Sequence, residues 1–250
     1  MVSVVIFAGG TGVRLKSADK PKQFLEVDGK PIIIRTLEKF AYHPEVDAIV
    51  VACLADWIPY LNELIANFNL PKITAVVPGG NNGFESIHNG LVKAAEAMND
   101  DDDVVLISDG VRPILTNELI SDCIATAREF GTAVPCVPSI DSVLQSPDGK
   151  TCKIAMPRNE MFVTQAPQGY RLSRILWAHG EVERLGLPAP VSSSELFISL
   201  GEEIRLVPGD QDNIKVTTDY DLHVLRSRYE YKKRHEAELA DSEDAASHGL

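Results

Sequence analysis

The sequence lacks several features that would assign it to a large class of proteins. It has no apolar run of the roughly 18 residues that span a bilayer, and no basic leading region of the kind that precedes the apolar part of a signal peptide. It has only four cysteines (Cys53, Cys123, Cys136 and Cys152), and none of them forms a CxxC pair. We therefore expect a soluble, cytoplasmic protein that makes no membrane contact and has reduced thiols, with neither a zinc site nor a redox motif.

A surplus of positive charge is also absent. The formal net charge is −12, whereas binding to a nucleic-acid backbone needs a basic face. This argues against a nucleic-acid partner, although a few local cations and backbone amides can still hold a nucleotide. From Glu236 to Leu250 the chain has five acidic residues and no Lys or Arg. We expect this segment to be a disordered tail, which leaves residues 1–235 as one domain.

Apolar runs of two kinds alternate along the domain. Short β-branched runs predict strands at Val2–Phe7, Ala48–Leu54, Ile73–Val77, Val104–Ile107 and Thr132–Val137. Helical spacing predicts helices at Ile32–His43, Ile58–Phe68, Ser86–Met98 and Asn117–Phe130. The alternation predicts an α/β fold with a doubly wound, mostly parallel sheet that is covered by helices on both faces.

The segment from about residue 140 to 168 breaks this alternation. It contains Pro147-Asp148-Gly149, a strong turn signal between β-compatible residues. We expect a β-hairpin arm that projects from the sheet.

Three loops follow predicted strands, at the edge where sheets of this type bind ligands. The first, Ala8–Phe24, is rich in glycine, which lets a backbone approach a phosphate, and its cations include Arg14, Lys20 and Lys22. It lacks the Gly-Lys-Ser/Thr ending of a P-loop, and no helix follows at once as in a dinucleotide fingerprint. We interpret it as a phosphate-binding loop.

The other loops supply neutral and acidic groups. Ser86, in the second loop, is expected to cap a helix and to face a nucleobase or an anion. Asp109, in the third, follows an apolar strand and is a natural Mg²⁺ ligand at this edge, although Arg112 is also placed to pair with it. Further on, Lys215 is expected in a short strand-like run before a helix.

In chain order these motifs read AGGTGVR, PKQF, GG…ES…NGL, SDGVRP, RN…QAPQ and NIKVTT. From Val2 to about Arg228 they resemble the family of 2-C-methyl-D-erythritol 4-phosphate and ribitol-5-phosphate cytidylyltransferases. The resemblance implies the Rossmann-like nucleotidyltransferase fold and a CTP-dependent enzyme that uses Mg²⁺ to transfer CMP to a polyol phosphate. It also implies a homodimer in which each active site borrows residues from the partner's arm.

The same resemblance implies roles for individual residues. Arg14, Lys22 and Lys215 would be catalytic, and Asp109 would bind Mg²⁺. Asp141 and Arg158, on the arm, would hold the polyol phosphate. The residues implied to bind the nucleotide are Ala8, Gly9, Gly10, Thr11, Gly12, Gly80, Ser86, Gly110 and Arg112.

Four positions depart from the family pattern. Gly83 stands where an arginine is common, Ser108 replaces a histidine, and Ala166 replaces the threonine of Thr-Pro-Gln. Serines around Ser192 stand where the family has a Thr-Asp pair. We expect these changes to affect base contacts, substrate choice and dimer contacts, whereas the retained cations and Asp109 argue for an active enzyme.

The segments Lys20–Phe24 and Cys53–Trp57 are more similar to the ribitol branch, whose product serves teichoic acid or capsule assembly. Ribitol 5-phosphate is therefore the expected acceptor, with the methylerythritol branch of isoprenoid synthesis as the alternative. A regulatory nucleotide-binding module without turnover, a UTP- or GTP-dependent sugar pyrophosphorylase and an NAD-dependent dehydrogenase are further alternatives. The pyrophosphorylase would need a longer substrate domain, and the dehydrogenase an acidic residue about 20 positions after the first loop.

Overall fold

The computed structural model describes residues 1–10, 20–98, 100 and 102–247. The strands are β1 (Val2–Ala8), β2 (Glu26–Val27), β3 (Lys30–Pro31), β4 (Ala48–Cys53), β5 (Ile73–Pro78), β6 (Val104–Asp109), β7 (Thr132–Pro138), β8 (Leu144–Gln145), β9 (Ile154–Ala155), β10 (Phe162–Thr164), β11 (Gln168–Arg171) and β12 (Leu206–Pro208). The helices are α1 (Ile32–Ala41), α2 (Ile58–Asn67), α3 (Gly83–Ala95), α4 (Asn117–Phe130), α5 (Leu172–Leu185), α6 (Ser193–Ser199) and α7 (Asp219–Ser247).

The central sheet has eight strands in the order β10-β7-β11-β6-β1-β4-β5, with β12 also paired to β7. Strands β6, β1, β4 and β5 are parallel, and β11 runs antiparallel to both of its neighbours, β6 and β7. The predicted α/β fold with a mostly parallel sheet is confirmed. Because β1 and β6 are adjacent and parallel, the loops that follow them meet at one edge of the sheet.

Helices cover both faces of the sheet, as predicted. Val4 and Ile6 of β1 pack with buried side chains of α1, α2 and α4, whereas Val5 packs with those of α3, α5 and α6. A strand that is buried on both faces needs a continuous apolar run, which explains why β1 does not alternate with polar residues.

Gly90 of α3 sets how closely that helix approaches the sheet. A Cβ atom at this position would lie 2.4 Å from Cγ1 of Val5. The glycine of the NGL motif therefore has a packing reason, since it lets α3 lie against β1 and brings the start of α3 to the ligand edge.

Several local predictions were wrong. Helix α3 begins at Gly83 rather than Ser86, and its N-cap is Asn82, whose side chain accepts a hydrogen bond from the Glu85 amide. Lys215 lies in an irregular extended segment, not a strand; this segment is held by a hydrogen bond from the Val216 amide to the Val111 carbonyl. The arm is shorter than predicted because β10 and β11 pair with β7, which leaves residues 140–160, with the β8–β9 hairpin at their centre, as the projecting segment.

Helix α7 continues to Ser247, where the sequence predicts a disordered tail from Glu236. Ala and Glu are frequent in this segment, and their high helix propensity favours a helical backbone. Among the described residues, no helix combines the length and apolar character needed to cross a membrane.

Candidate active site

A cleft of about 360 Å³ opens at the carboxyl ends of β1 and β6. Strand register places Asp109 beside Phe7, and the Gly110 amide donates to the Phe7 carbonyl at 3.1 Å. The residues that line the cleft are Phe7, Ala8, Gly9, Gly10, Lys22, Gln23, Asn81, Asn82, Gly83, Ser86, Asp109, Gly110, Val111 and Lys215. The three loops identified in the sequence therefore converge on one site.

Asp109 is the acidic group of this cleft. Its side chain is only 7% exposed and contacts two cations, with Nζ of Lys215 at 2.5 Å from Oδ1 and Nε of Arg112 donating to Oδ2 at 2.9 Å. Burial by itself would raise the pKa of Asp109, but the charges and hydrogen bonds of Lys215 and Arg112 outweigh it and hold this pKa below the usual value. Asp109 is therefore ionised at neutral pH.

Arg112 pairs with Asp109, which is the alternative that the sequence left open. Its side chain is 9% exposed, and its Nη1 also donates to the Asn213 carbonyl at 2.8 Å. It lines a neighbouring cavity but not the main cleft. In this arrangement Arg112 partly neutralises the charge of Asp109, and its hydrogen bond to Asn213 anchors the segment that carries Lys215.

Lys22 is positioned by the residues that follow it in a short 3₁₀ helix, Lys22–Phe24. The buried Phe24 stacks on Trp57 with ring centroids 4.9 Å apart, and Nε2 of Gln23 donates to the Ala8 carbonyl at 2.8 Å. Nζ of Lys22 donates to the Val216 carbonyl at 3.1 Å, close to Lys215 in the chain. Two lysines from distant parts of the sequence therefore line the same cleft.

The opposite wall of the cleft is neutral and belongs to the start of α3. Ser86 is in the first turn of this helix, where its Oγ accepts from the Gly80 amide at 3.0 Å and donates to the Asn82 carbonyl at 2.8 Å. A Cβ atom on Gly9 would lie 3.0 Å from this Oγ. The glycine therefore allows the first loop to pass close to Ser86.

Most of the described site residues lie where the sequence predicts them. Those that line the cleft are Ala8, Gly9, Gly10, Lys22, Ser86, Asp109, Gly110 and Lys215. Gly80 touches the site through its hydrogen bond to Ser86. Thr11, Gly12 and Arg14 are outside the described residues. Asp141 and Arg158 are exposed on the arm and do not line this chain's cleft.

A second cavity, of about 290 Å³, adjoins the cleft and was not predicted from the sequence. Phe7, Gly83, Asp109 and Lys215 line both spaces. Apart from these, its polar lining consists largely of hydroxyl and amide side chains, namely Thr164, Gln165, Gln168, Ser192 and Ser193. Both glutamine amides are hydrogen-bonded within the fold, so the hydroxyl side chains are the neutral groups of this lining that suit a hydroxylated ligand.

Three of the four departures from the family pattern line these two spaces. Gly83, Ala166 and Ser192 do so, and a Cβ built on Gly83 would meet no atom within 4 Å among the described residues outside its own stretch of helix. Ser108 is different, because strand alternation turns it to the other face of β6 from Asp109. Its Oγ is buried and has no hydrogen-bond partner among the described residues.

Residues 2–227 match the model of the IspD family, 2-C-methyl-D-erythritol 4-phosphate cytidylyltransferase. The chain is 41% identical over 229 residues to a ribitol-5-phosphate cytidylyltransferase of Streptococcus agalactiae, which covers 92% of this chain and 95% of the relative. It is 39% identical over 223 residues to a ribitol-5-phosphate cytidylyltransferase of Vibrio parahaemolyticus, with 89% and 93% covered. The chain belongs to the IspD family of cytidylyltransferases.

A solved structure of the family has the same fold. The 4-diphosphocytidyl-2C-methyl-D-erythritol synthase of Anaerococcus prevotii superposes with a TM-score of 0.78 at 23% identity, over 92% of this chain and 96% of that one. This likeness confirms the fold, while the family match and the ribitol-5-phosphate cytidylyltransferase relatives confirm the resemblance found in the sequence and the prediction of a nucleotidyltransferase. The regulatory module, the sugar pyrophosphorylase and the dehydrogenase are set aside.

Proposed function

We propose that this cytidylyltransferase transfers CMP from CTP to ribitol 5-phosphate, giving CDP-ribitol and pyrophosphate. The two relatives named for ribitol 5-phosphate support the choice of acceptor. The observation that carries the proposal is the position of the Asp109–Lys215 pair, which lines both the cleft and the adjoining cavity. With the nucleotide in the first space and the polyol phosphate in the second, the two reacting phosphates meet at this pair.

The reaction needs positioning and charge neutralisation more than proton transfer. The phosphate of the acceptor is already ionised at neutral pH, so it can attack the α-phosphorus of CTP in line and expel pyrophosphate without a general base. Negative charge on the phosphate oxygens is then stabilised by fixed cations. Lys22 and Lys215 line the cleft and supply these cations, and Arg14 is proposed to add a third.

The donor set of the cleft fits one magnesium ion. Mg²⁺ in nucleotide sites is usually held by one or two carboxylates together with phosphate oxygens and water, so the ionised Asp109 is sufficient as the protein ligand. Among the described residues, each of its oxygens contacts a single cation, and each can accept further contacts. When bound, the ion would neutralise charge on the triphosphate.

The arm is proposed to complete the site of a second copy of the chain. It exposes apolar side chains, including Ile140 (71% exposed), Leu144 (61%) and Ile154 (54%), and such patches mark interaction surfaces. In this homodimer Asp141 and Arg158 would reach the partner's polyol cavity. Sedimentation should give a dimer for the wild type and a monomer after Ile140→Ser and Leu144→Ser; a wild-type monomer would contradict this assembly.

Pyrophosphate release tests the proposal. CTP and Mg²⁺ would be supplied with ribitol 5-phosphate or with 2-C-methyl-D-erythritol 4-phosphate at equal concentrations. We expect kcat/KM to favour ribitol 5-phosphate by at least about 100-fold, since a cavity built to bind hydroxyls discriminates strongly against an analogue that leaves its polar groups unpaired. Preference for the methylerythritol substrate would overturn the choice of acceptor, and release with neither would overturn the proposed reaction.

A further inference from the structure

A cavity of about 720 Å³ lies where α7 passes beside α1, and we call it the helix cavity. The guanidinium of Arg35 on α1 is 4.1 Å from the ring centre of Tyr229 on α7, so the two helices are in contact next to it. No described residue that lines the helix cavity also lines the cleft or the adjoining polyol cavity. The helix cavity is therefore separate from the proposed reaction site.

Apolar groups form much of the wall of the helix cavity. Pro113 is buried, and Ile114 packs against a buried cluster that includes Leu225 of α7. The rings of Tyr229 and Tyr231, on α7, line the cavity as well. Ligand sites are commonly preformed spaces with a mostly apolar lining and a few polar groups, and a flat aromatic ring suits this wall.

Two lysines bring positive charge to the helix cavity. Lys39 of α1 and Lys232 of α7 both line it. Burial lowers the pKa of Lys39, and the positive charge of Lys232 lowers it further. The acid next to Lys39 in the chain, Glu38, acts in the opposite direction but is paired with Lys30 at 2.6 Å. Two like charges are thus close together beside an apolar space, and an anion between them would relieve their repulsion.

The lining of the helix cavity offers an anion little competition. None of the described residues that line it is acidic. Arg228 also lines it, but the two terminal nitrogens of this arginine donate to the two carboxylate oxygens of Asp212. Lys39 makes no hydrogen bond or ion pair within the described part of the chain. Its ammonium can therefore bind an anion without first losing a partner there.

We propose that the helix cavity binds a small phosphate monoester of an aromatic group, with the phosphate between Lys39 and Lys232 and the ring against the apolar wall. A phosphate monoester carries between one and two negative charges near neutral pH, which matches two ammonium groups better than a single carboxylate does. The ring gains both apolar burial and contact with the tyrosine rings. The inference depends neither on the reaction in the cleft nor on its acceptor.

Calorimetry with the full chain and phenyl phosphate tests the inference. Inorganic phosphate and phenol are the comparison probes, because the first lacks the ring and the second lacks the charge. We expect phenyl phosphate to bind at least about tenfold more tightly than either, since it alone combines the charged and the apolar contacts. Lys39→Met and Lys232→Met keep an apolar stem without the charge, and each should weaken the binding of phenyl phosphate by about tenfold.

Two further lysine variants separate this site from other cations. Lys93→Met is the matched control, because Lys93 is also a half-exposed helical lysine but does not line the helix cavity. Lys215→Met removes a cation of the cleft, which could itself attract the probe. Both should keep the wild-type affinity for phenyl phosphate, and thermal unfolding checks that every variant is folded.

Three results would overturn the inference. The first is that the wild type does not bind phenyl phosphate. The second is that Lys39→Met and Lys232→Met both bind it within about twofold of the wild type. The third is that Lys215→Met loses the binding while the two cavity variants keep it, which would place the probe in the cleft. None of these results bears on the proposed transfer of CMP, because the experiment contains no nucleotide.

Discussion

Replacing Lys215 by alanine tests whether this lysine acts in catalysis or only stabilises the fold. Its ammonium is 2.5 Å from a buried carboxylate, but its own side chain is 41% exposed. Half-exposed ion pairs contribute about 0–1 kcal/mol to stability, and Asp109 keeps its second partner, Arg112, in the variant. We therefore expect the thermal unfolding of Lys215→Ala to be close to that of the wild type.

The effect on turnover should be much larger. If Lys215 stabilises charge that develops on the phosphates, its removal should lower kcat by at least about 100-fold, or about 2.7 kcal/mol of transition-state stabilisation. The pyrophosphate assay, with saturating CTP and polyol phosphate, measures this loss directly.

Lys93 offers a closely matched control. It also makes an ion pair at 2.5 Å, with Glu96, and its side chain is 40% exposed, but it does not line the cleft. Lys93→Ala should keep wild-type turnover. The reasoning is refuted if Lys215→Ala turns over within about fivefold of the wild type, or if Lys93→Ala loses as much activity as Lys215→Ala does.

Three further variants test the energetics of the fold. Asp109→Asn should lower the unfolding free energy at neutral pH, and the gap to the wild type should close as the pH falls through the lowered pKa of Asp109, because only the ionised carboxyl gains from its two cations. Burial lowers the pKa of His179 to about 3, with a smaller effect of His88. Below about pH 6.5 this histidine is therefore protonated in the unfolded chain but not in the folded chain, which lowers the stability of the fold. Urea titration should find that His179→Leu removes about 2–3 kcal/mol of the wild type's stability loss between about pH 6.5 and 4.5. Gly90→Ala should destabilise the fold by about 1–3 kcal/mol in thermal unfolding, since its Cβ would meet Val5 at 2.4 Å, whereas Gly180→Ala, with open space around it, should not.

The sheet and the edge at which ligands bind were predictable because both depend on local patterns. The strand Val2–Ala8 is apolar on both faces and is followed by glycines, and the helix Asn117–Phe130 has clear helical spacing between Thr116 and Gly131. Asp109 could be placed at the ligand edge because it lies two positions after the apolar run Val104–Ile107. In each case the signal lies within about a dozen consecutive residues.

The N-cap of α3 is a feature for which the prediction from local sequence was wrong. Ser86 is a common capping residue, and the asparagines before it read equally well as loop residues. The pattern Asn82-Gly83-Phe84-Glu85 does match a capping residue followed three positions later by glutamate, and that signal could have located the start of the helix. It could not have indicated that Glu85 also accepts hydrogen bonds from Asn81, because this contact depends on the loop geometry.

The second cavity could not be found from the sequence at all. It joins residues that are far apart in the chain, among them Asp109, Gln168 and Ser192. Their proximity follows from β11 entering the sheet antiparallel between β6 and β7, a pairing that the alternation of strands and helices does not predict. Sequence patterns indicate individual strands and helices, whereas the pairing of β11 with β6 and β7 joins distant segments and depends on tertiary packing.

The two cations of Asp109 differ in a way that bears on how the site can accept a ligand. Arg112 is nearly buried and is held by hydrogen bonds in two directions, to Asp109 and to the Asn213 carbonyl. Lys215 is half-exposed and carries a compact charge on a flexible stem. A phosphate that draws Lys215 away therefore leaves Asp109 still paired, so the carboxyl does not become an uncompensated buried charge. If Lys215 were the single cation, binding of the anion would compete directly with the ionisation of Asp109. Because Arg112 stays in place, the site can lose the Lys215 contact while Asp109 remains ionised.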